Sequence, residues 1–334
     1  MKMYKSVLIT GGAGFIGSHL VRKWVSSYPQ TKVVNLDILT YASDIDNLKE
    51  IENKSNYFFV KGDIADPLLV TKLFELYDFD GVIHLAAESH VDQSIEKPMN
   101  FAATNVIGTL NLLEIARKTW QNKFEGKLFY HVSTDEVYGT LQETGSFSET
   151  TAYDPRSPYS ASKASSDHFV KAYSITYEMP TIISNSSNNY GPNQHVEKLI
   201  PLVIKNIVNK EPIPIYGDGK NIRDWIYVED HIEAIDLIFN NGERGHKYNI
   251  GGDNEIRNID LVNKIIISCD NLLGRSKGDS KSLIKFVEDR KGHDYRYSVD
   301  SSKLKNDLDW YPKTDFEKGL KKTILYYLKK FGVV

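Results

Sequence analysis

The chain holds a single cysteine, Cys269, in 334 residues. An internal disulfide is therefore excluded, as are the thiolate-rich clusters of structural zinc, which fits a reducing compartment. Cys269 lies in an apolar run and reads as core. No run of about 18 apolar residues occurs, so a helical membrane span is not expected. The few apolar residues before Gly11 are too short a stretch for a secretory signal. Charge of one sign is lacking too: 41 Lys+Arg against 44 Asp+Glu leave −3, too weak a field to favour nucleic acid or an anionic membrane. Low-complexity segments are absent. These absences predict a soluble, cytoplasmic protein that binds any phosphate through a local site. With 41% apolar and 25% charged residues, the chain is long enough for two domains sharing a cleft.

What is present is a regular alternation. Val7-Leu8-Ile9-Thr10 is a short apolar run, the segment Gly11 to Gly17 a glycine turn, and Ser18 to Val25 carries helical spacing. Lys32 to Asp37, Tyr57 to Val60 and Gly81 to Ala87 read as further strands, with a helix from Pro67 to Tyr77 between the last two. Strands alternating with helices predict an α/β fold with a doubly wound parallel sheet of Rossmann type. After about residue 180 the alternation weakens and Pro/Gly punctuation rises. A dinucleotide-binding domain over 1–180, with some later chain returning to the sheet, and a smaller substrate domain over 181–334 are expected. The helices near Thr104 to Lys118 and Tyr159 to Tyr177 carry apolar residues on more than one face, notably Val106, Leu110, Leu113, Phe169, Ala172 and Tyr173. That pattern predicts a homodimer joined through a four-helix contact.

Gly11, Gly14 and Gly17 fall where a first strand meets a first helix. Glycine there allows a tight turn and lets a pyrophosphate approach backbone N–H groups at a helix N-terminus. Asp37 closes the second strand, where a carboxylate accepts from ribose hydroxyls and repels a 2′-phosphate, so NAD is expected over NADP. Asp63, after the third strand, reads either as an adenine contact or as the cap of the helix that begins at Pro67.

Tyr159 and Lys163, spaced i and i+4, share one helix face. An ammonium beside a phenol favours the phenolate, a suitable base for a sugar hydroxyl. Upstream, Thr134-Asp135-Glu136 follows the strand ending His131-Val132-Ser133. In a continuing strand Asp135 and Glu136 would face opposite ways, so both reach one substrate only where the chain has left the strand. Hydride transfer alone has no use for two carboxylates. Oxidation coupled to elimination does.

Those residues, together with Leu85 to Asp92, Ser187 to Pro192, Glu197 to Pro201, Arg223-Asp224-Trp225, Tyr248 to Gly252 and Asp289 to Asp294, resemble the extended short-chain dehydrogenase/reductases, in their NAD-dependent epimerase/dehydratase group, nearly end to end. The resemblance implies an NAD-dependent lyase that dehydrates dTDP-glucose to its 4-keto-6-deoxy product. Tyr159, supported by Thr134 and Lys163, would take the 4-hydroxyl proton as hydride leaves C4. Glu136 would then take the C5 proton, Asp135 would protonate the departing 6-hydroxyl, and hydride would return to C6. On the cofactor side it places Gly11, Gly14, Phe15, Ile16, Gly17, Asp37, Thr40, Asp63 and Ile64, then Leu85, Ala86, Ala87, Thr104, Tyr159, Lys163 and Asn189. On the substrate side it places Ser89, Thr134, Asn188, Lys198, Leu199, Pro214, Tyr216, Arg223, Asn258, Asp289 and His293. Arg223 is the strongest phosphate candidate, since a guanidinium pairs phosphate oxygens bidentately; the competing role is an ion pair with Asp224. No metal is implied. His195 and Val196 depart from the aromatic and proline of the family pattern, which leaves the nucleotide and sugar open. A dehydratase or 4-keto reductase of another nucleotide sugar, such as a UDP-linked one, or a non-catalytic NAD sensor are the alternatives.

Overall fold

A computed structural model describes residues 4–121 and 123–333. Among the described residues twelve strands are formed: β1 Ser6–Thr10, β2 Lys32–Asp37, β3 Tyr57–Lys61, β4 Gly81–His84, β5 Leu128–Thr134, β6 Thr181–Ser186, β7 Asn188–Tyr190, β8 Ile213–Tyr216, β9 Ile222–Tyr227, β10 Lys247–Ile250, β11 Glu255–Arg257 and β12 Ile284–Val287. Seven of them make one sheet in the order β10-β6-β5-β4-β1-β2-β3, every pair parallel. The expected doubly wound sheet is present. β1, β4 and β5 are buried along their whole length, as a sheet covered by helices on both faces requires.

Strand order reverses between β1 and β4, and such a switch opens a crevice at the carboxyl ends of the strands. The later chain contributes β6 and β10 to the large sheet, while β11-β9-β7 and β12-β8 form two small sheets. Around these, Ile200, Val203, Ile204, Leu261, Ile265 and Cys269 pack a separate apolar cluster. The single thiol is buried there.

One helix departs from regular geometry where it matters. Residues Ala102–Gly108 form a π-helical segment that leads into the α-helix Thr109–Trp120. The widened turn sets Asn105 against Glu88, whose N–H it accepts at 2.8 Å and whose carbonyl it binds at 3.0 Å. Thr104, beside it, lines the crevice. Such π segments commonly mark functional sites.

Candidate active site

One cavity runs along the carboxyl edge of the sheet, lined by residues that follow β1, β2, β3, β4 and β5 and by the segment after β6. Every residue assigned to the cofactor side by sequence lines it. Gly11 has φ +73°, and a Cβ there would stand 2.7 Å from the Ala86 backbone, while one at Gly17 would stand 2.1 Å from the Gly11 carbonyl. Neither position accepts a side chain. Gly14 precedes the helix Phe15–Ser27, which has neither a side-chain cap nor an acidic residue in its first turn. The N–H groups of an uncapped first turn, facing a cavity, suit a diphosphate.

Asp37 accepts from Ala13 N at 2.9 Å, Leu39 N at 2.8 Å and Ser43 Oγ at 3.0 Å. A carboxylate has about four acceptor sites, so capacity remains on the cavity side that Asp37 lines. Of the two roles open to Asp63, the capping role falls elsewhere. Asp66 accepts from Leu68 N and Leu69 N and caps the helix Pro67–Tyr77, whereas Asp63 turns back on Ala65 N at 2.8 Å and lines the cavity.

The chain leaves β5 after Thr134 and enters a short 3₁₀ turn, Asp135–Tyr138, closed by Gly139 at φ +86°. Thr134 accepts from Glu136 N at 3.3 Å and donates to Asp135 Oδ1 at 3.3 Å. Both carboxylates thus line the cavity with Thr134, Tyr159 and Lys163. The helix that carries the last two, Pro158–Thr176, starts from a capping box between Ser157 and Ser160, so its first turn is firmly placed beside β5.

The environments of the two carboxylates differ. Burial and the neighbouring Glu136 and Asp224 hold the Asp135 carboxyl well above the ordinary range, and its Oδ2 is buried without a partner. Glu136 is raised by burial too, but Arg223, Lys198 and Arg290 oppose that rise. Asp135 is set up to carry a proton, while the cations beside Glu136 favour its charged form against the burial that raises it. Tyr159 departs from expectation. Burial, then Glu136, push its phenol above the ordinary value while a hydrogen bond with the Thr134 hydroxyl lowers it, and Lys163 is not among its strongest influences. The Lys163 ammonium instead donates to Val132 O at 3.0 Å and lies 3.3 Å from His131 Nε2. Burial lowers it to about 8.

On the substrate side, Ser89, Thr134, Asn188 and Lys198 line this cavity, and Lys198 donates to Ser89 O at 3.0 Å. Pro214 and Tyr216 lie on β8, Leu199 opens the helix Leu199–Asn209, Asn258 opens the helix Asn258–Leu272, and Asp289 and His293 follow β12. Those residues stand outside its lining. Tyr216 and His293 meet edge to face at 6.3 Å, and His293 Nδ1 lies 2.6 Å from Asp289. Arg223 is buried: its guanidinium donates to the carbonyls of Ile222 and Asp294 at 2.8 and 2.9 Å and covers the Tyr297 ring at 4.2 Å. It makes no ion pair with Asp224, which accepts from Gly252 N and Asn254 N instead.

Two residues given no role by sequence connect the halves. Arg290 binds Asp92 through Nε at 2.5 Å and Nη2 at 2.9 Å, with Tyr216 stacked beneath its guanidinium at 5.1 Å. Both lie within motif blocks, but a contact across 198 positions leaves no local signal. Glu197, which does line the cavity, lies 3.4 Å from His90 and 3.6 Å from His195. His195 packs its ring edge on Tyr41 at 5.6 Å.

A seven-stranded dinucleotide fold with a Tyr/Lys pair and two buried carboxyls in one cavity defines an NAD-type short-chain enzyme equipped for elimination. Sequence comparison places the chain more narrowly. The model of the GDP-mannose 4,6-dehydratase family matches residues 8–323. A dTDP-glucose 4,6-dehydratase of Xanthomonas campestris is 51% identical over 326 residues, covering 96% of this chain and 92% of that one. The crystal structure of the Streptomyces venezuelae dTDP-glucose 4,6-dehydratase, with NAD bound, superposes with a TM-score of 0.90 at 42% identity over 98% of each chain. That of Bacillus anthracis, in complex with NAD, gives 0.86 at 44% identity over 97% and 96%. The chain belongs to this family of nucleotide-sugar 4,6-dehydratases.

Proposed function

We propose that the chain is an NAD-dependent hydro-lyase that converts dTDP-glucose to dTDP-4-keto-6-deoxyglucose. The observation that carries this reading is the presence of two buried carboxyls, Asp135 and Glu136, in one cavity with Tyr159 and Lys163, both raised by burial and only Glu136 opposed by three neighbouring cations. Gly11, Gly14 and Gly17 hold the diphosphate of NAD, Asp37 the adenosine ribose, and Thr104, Lys163 and Asn189 the nicotinamide half. Bound there, NAD accepts hydride from C4 and returns it to C6.

Tyr159 takes the 4-hydroxyl proton. The resulting ketone acidifies C5–H, which Glu136 removes, Asp135 gives its proton to the leaving 6-hydroxyl, and as hydride returns to C6 Glu136 protonates C5. Over one turnover Tyr159 thus gains a proton and Asp135 gives one up, so the pair needs one internal transfer to reset. The Thr134 hydroxyl, bonded to Tyr159 and to Asp135, provides that path. Lys198 and Ser89 hold the sugar side with Asn188, while Leu199, Pro214, Tyr216, Asn258, Asp289 and His293 receive the nucleotide. Arg223 acts from behind the wall as a fixed positive charge on Glu136 rather than as a bidentate phosphate clamp. Residues 1–180 with β6 and β10 form the cofactor domain, and most of 181–334 the nucleotide-sugar domain.

A homodimer completes the proposal. Leu113 and Tyr173 pack inside the chain, but Met99, Ile107, Phe169, Ile175 and Tyr177 are exposed on the two helical segments, an apolar surface of the kind that pairs. Among the described residues, no helix is long and apolar enough to cross a membrane.

The direct test is incubation with dTDP-glucose, followed by mass. The expected product is lighter by one water, with no accumulation of free NADH. Stoichiometric release of NADH would mean a simple dehydrogenase, and loss of water only from a UDP-linked sugar would move the substrate assignment.

A further inference from the structure

Four residues beyond Lys163 on the same helix, Asp167 is a buried carboxylate, 2% exposed, that does not line the cavity. It gathers donors from two strands and from the loop that precedes its own helix. Ser133 Oγ on β5 donates at 3.0 Å, Asn185 Nδ2 on β6 at 3.2 Å and the Tyr153 hydroxyl at 2.7 Å. His131 Nε2, on β5, lies 3.2 Å from its Oδ1, and the same nitrogen is 3.3 Å from Lys163 Nζ. Burial opposes ionisation of Asp167, but His131, Lys163 and Tyr153 outweigh it and hold the carboxyl below its ordinary value.

Lys163 is itself 4% exposed and, among the described residues, forms no ion pair. A buried ammonium without a counter-charge tends to lose its proton. Here Asp167 is the one group that works against that loss. The other titratable groups around the pair do not supply it. His131 is kept neutral by burial, which lowers it to about 4. His84 on β4 is bonded to Thr10 and Thr109 at 2.7 and 2.9 Å, and burial with His131 and Lys163 disfavours its proton too. On the cavity side stand Tyr159, Asp135 and Glu136. On the far side of Asp167 stand Tyr138 and Tyr153, with Lys247 3.4 Å from the Tyr153 hydroxyl.

We propose that Asp167 is a positioning residue for the oxidation step, an anion sealed behind the cavity wall whose charge reaches Lys163 across the His131 ring and keeps the ammonium in place. Tyr153, Ser133 and Asn185 keep Asp167 itself ionised. The inference rests on the dehydratase reading, because turnover is what reports it.

The experiment is the pH dependence of kcat for the wild-type enzyme and for Asp167→Asn, with dTDP-glucose as substrate. Removing the anion makes Lys163 lose its proton at lower pH. It also removes a group that raises Tyr159, so the phenol loses its proton at lower pH as well. Both limbs of the profile should therefore move toward acid, by about one unit for a charge at this range. Activity at pH 8 should fall about tenfold and recover most of the loss as the pH is lowered. A profile lowered in height but unmoved would overturn the proposal and leave Asp167 a structural hub. Asp167→Glu retains the charge and decides the matter if Asp167→Asn does not fold: an unmoved profile supports the role, and a displaced one overturns it. A wild-type enzyme that does not dehydrate dTDP-glucose would sink the substrate reading instead, an outcome distinct from either.

Discussion

The two sides of the cleft are built in different ways. Along the sheet edge, the cavity wall is local: a glycine turn without side chains and an uncapped helix end, with one carboxylate, Asp37, at the adjoining strand terminus. Across from it, the surface from β8, β12 and the segment after β12 is made of long side chains that hold one another, such as Arg290 on Asp92 and His293 on Asp289. Backbone recognition is written in short, local motifs, because the same few residues make the turn and bind the ligand. Side-chain recognition depends on contacts between distant segments. The carboxylate pair and Tyr159 lie where the two surfaces meet.

The strongest test of this division concerns the reacting groups, which belong to neither surface alone. Tyr159→Phe should lower kcat by roughly 10² to 10⁴, the usual loss for a positioned proton-transfer group, and should abolish water loss and transient NADH together. Glu136→Gln should leave C4 oxidation intact and stop C5 proton removal, so enzyme-bound NADH forms and lingers in stopped-flow absorbance. Asp135→Asn should slow water loss more than exchange of C5–H with solvent deuterium. Native turnover by Glu136→Gln would return the pair to an ordinary acidic turn.

The next test addresses the backbone-built side. Asp37→Ala removes a charge-assisted contact worth about 1.5 to 3 kcal/mol, so NAD affinity should fall by ~10-fold or more and the preference over NADP should narrow. Titration of both dinucleotides by calorimetry reads this out. Unchanged discrimination would mean that the glycine turn alone selects the cofactor.

The side-chain-built surface should respond more gently. Asp92→Asn breaks the partly exposed pair with Arg290, and such pairs contribute about 1 kcal/mol or less. A severalfold rise in KM for dTDP-glucose with kcat nearly unchanged is expected. A large fall in kcat would show that the pair also shapes the chemistry. Smallest in its effect on turnover is Phe169→Glu, which places a charge on the exposed helical face. Light scattering should report dimers for the native protein and monomers for this variant, and an equal mass for both would remove this face from the interface.

How much of this was legible in the sequence follows the same division. The helix Pro67–Tyr77 and the strands through β4 appear within a few residues of where alternation and turn chemistry put them, since each is decided by local pattern. The π segment at Ala102–Gly108 has no such signature, because its geometry answers to Asn105 holding Glu88. The Asp135–Glu136 turn was legible because a strand would have parted the two carboxylates. The surroundings of Lys163 were not: helical spacing puts it near Tyr159, but His131 and Asp167, brought in by the sheet, determine where its ammonium goes. Arg223 shows the same limit. Its residue type suits phosphate, while its partners, the carbonyls of Ile222 and Asp294, exist only after folding.

The central claim is that oxidation, elimination and reduction share one cavity and one hydride. It is tested most directly with dTDP-glucose deuterated at C4, the product being read by mass and by deuterium NMR. The account predicts product carrying the label at C6 in full, with the C5 hydrogen drawn from solvent. Label lost to solvent, or recovered in free reduced dinucleotide, would contradict it.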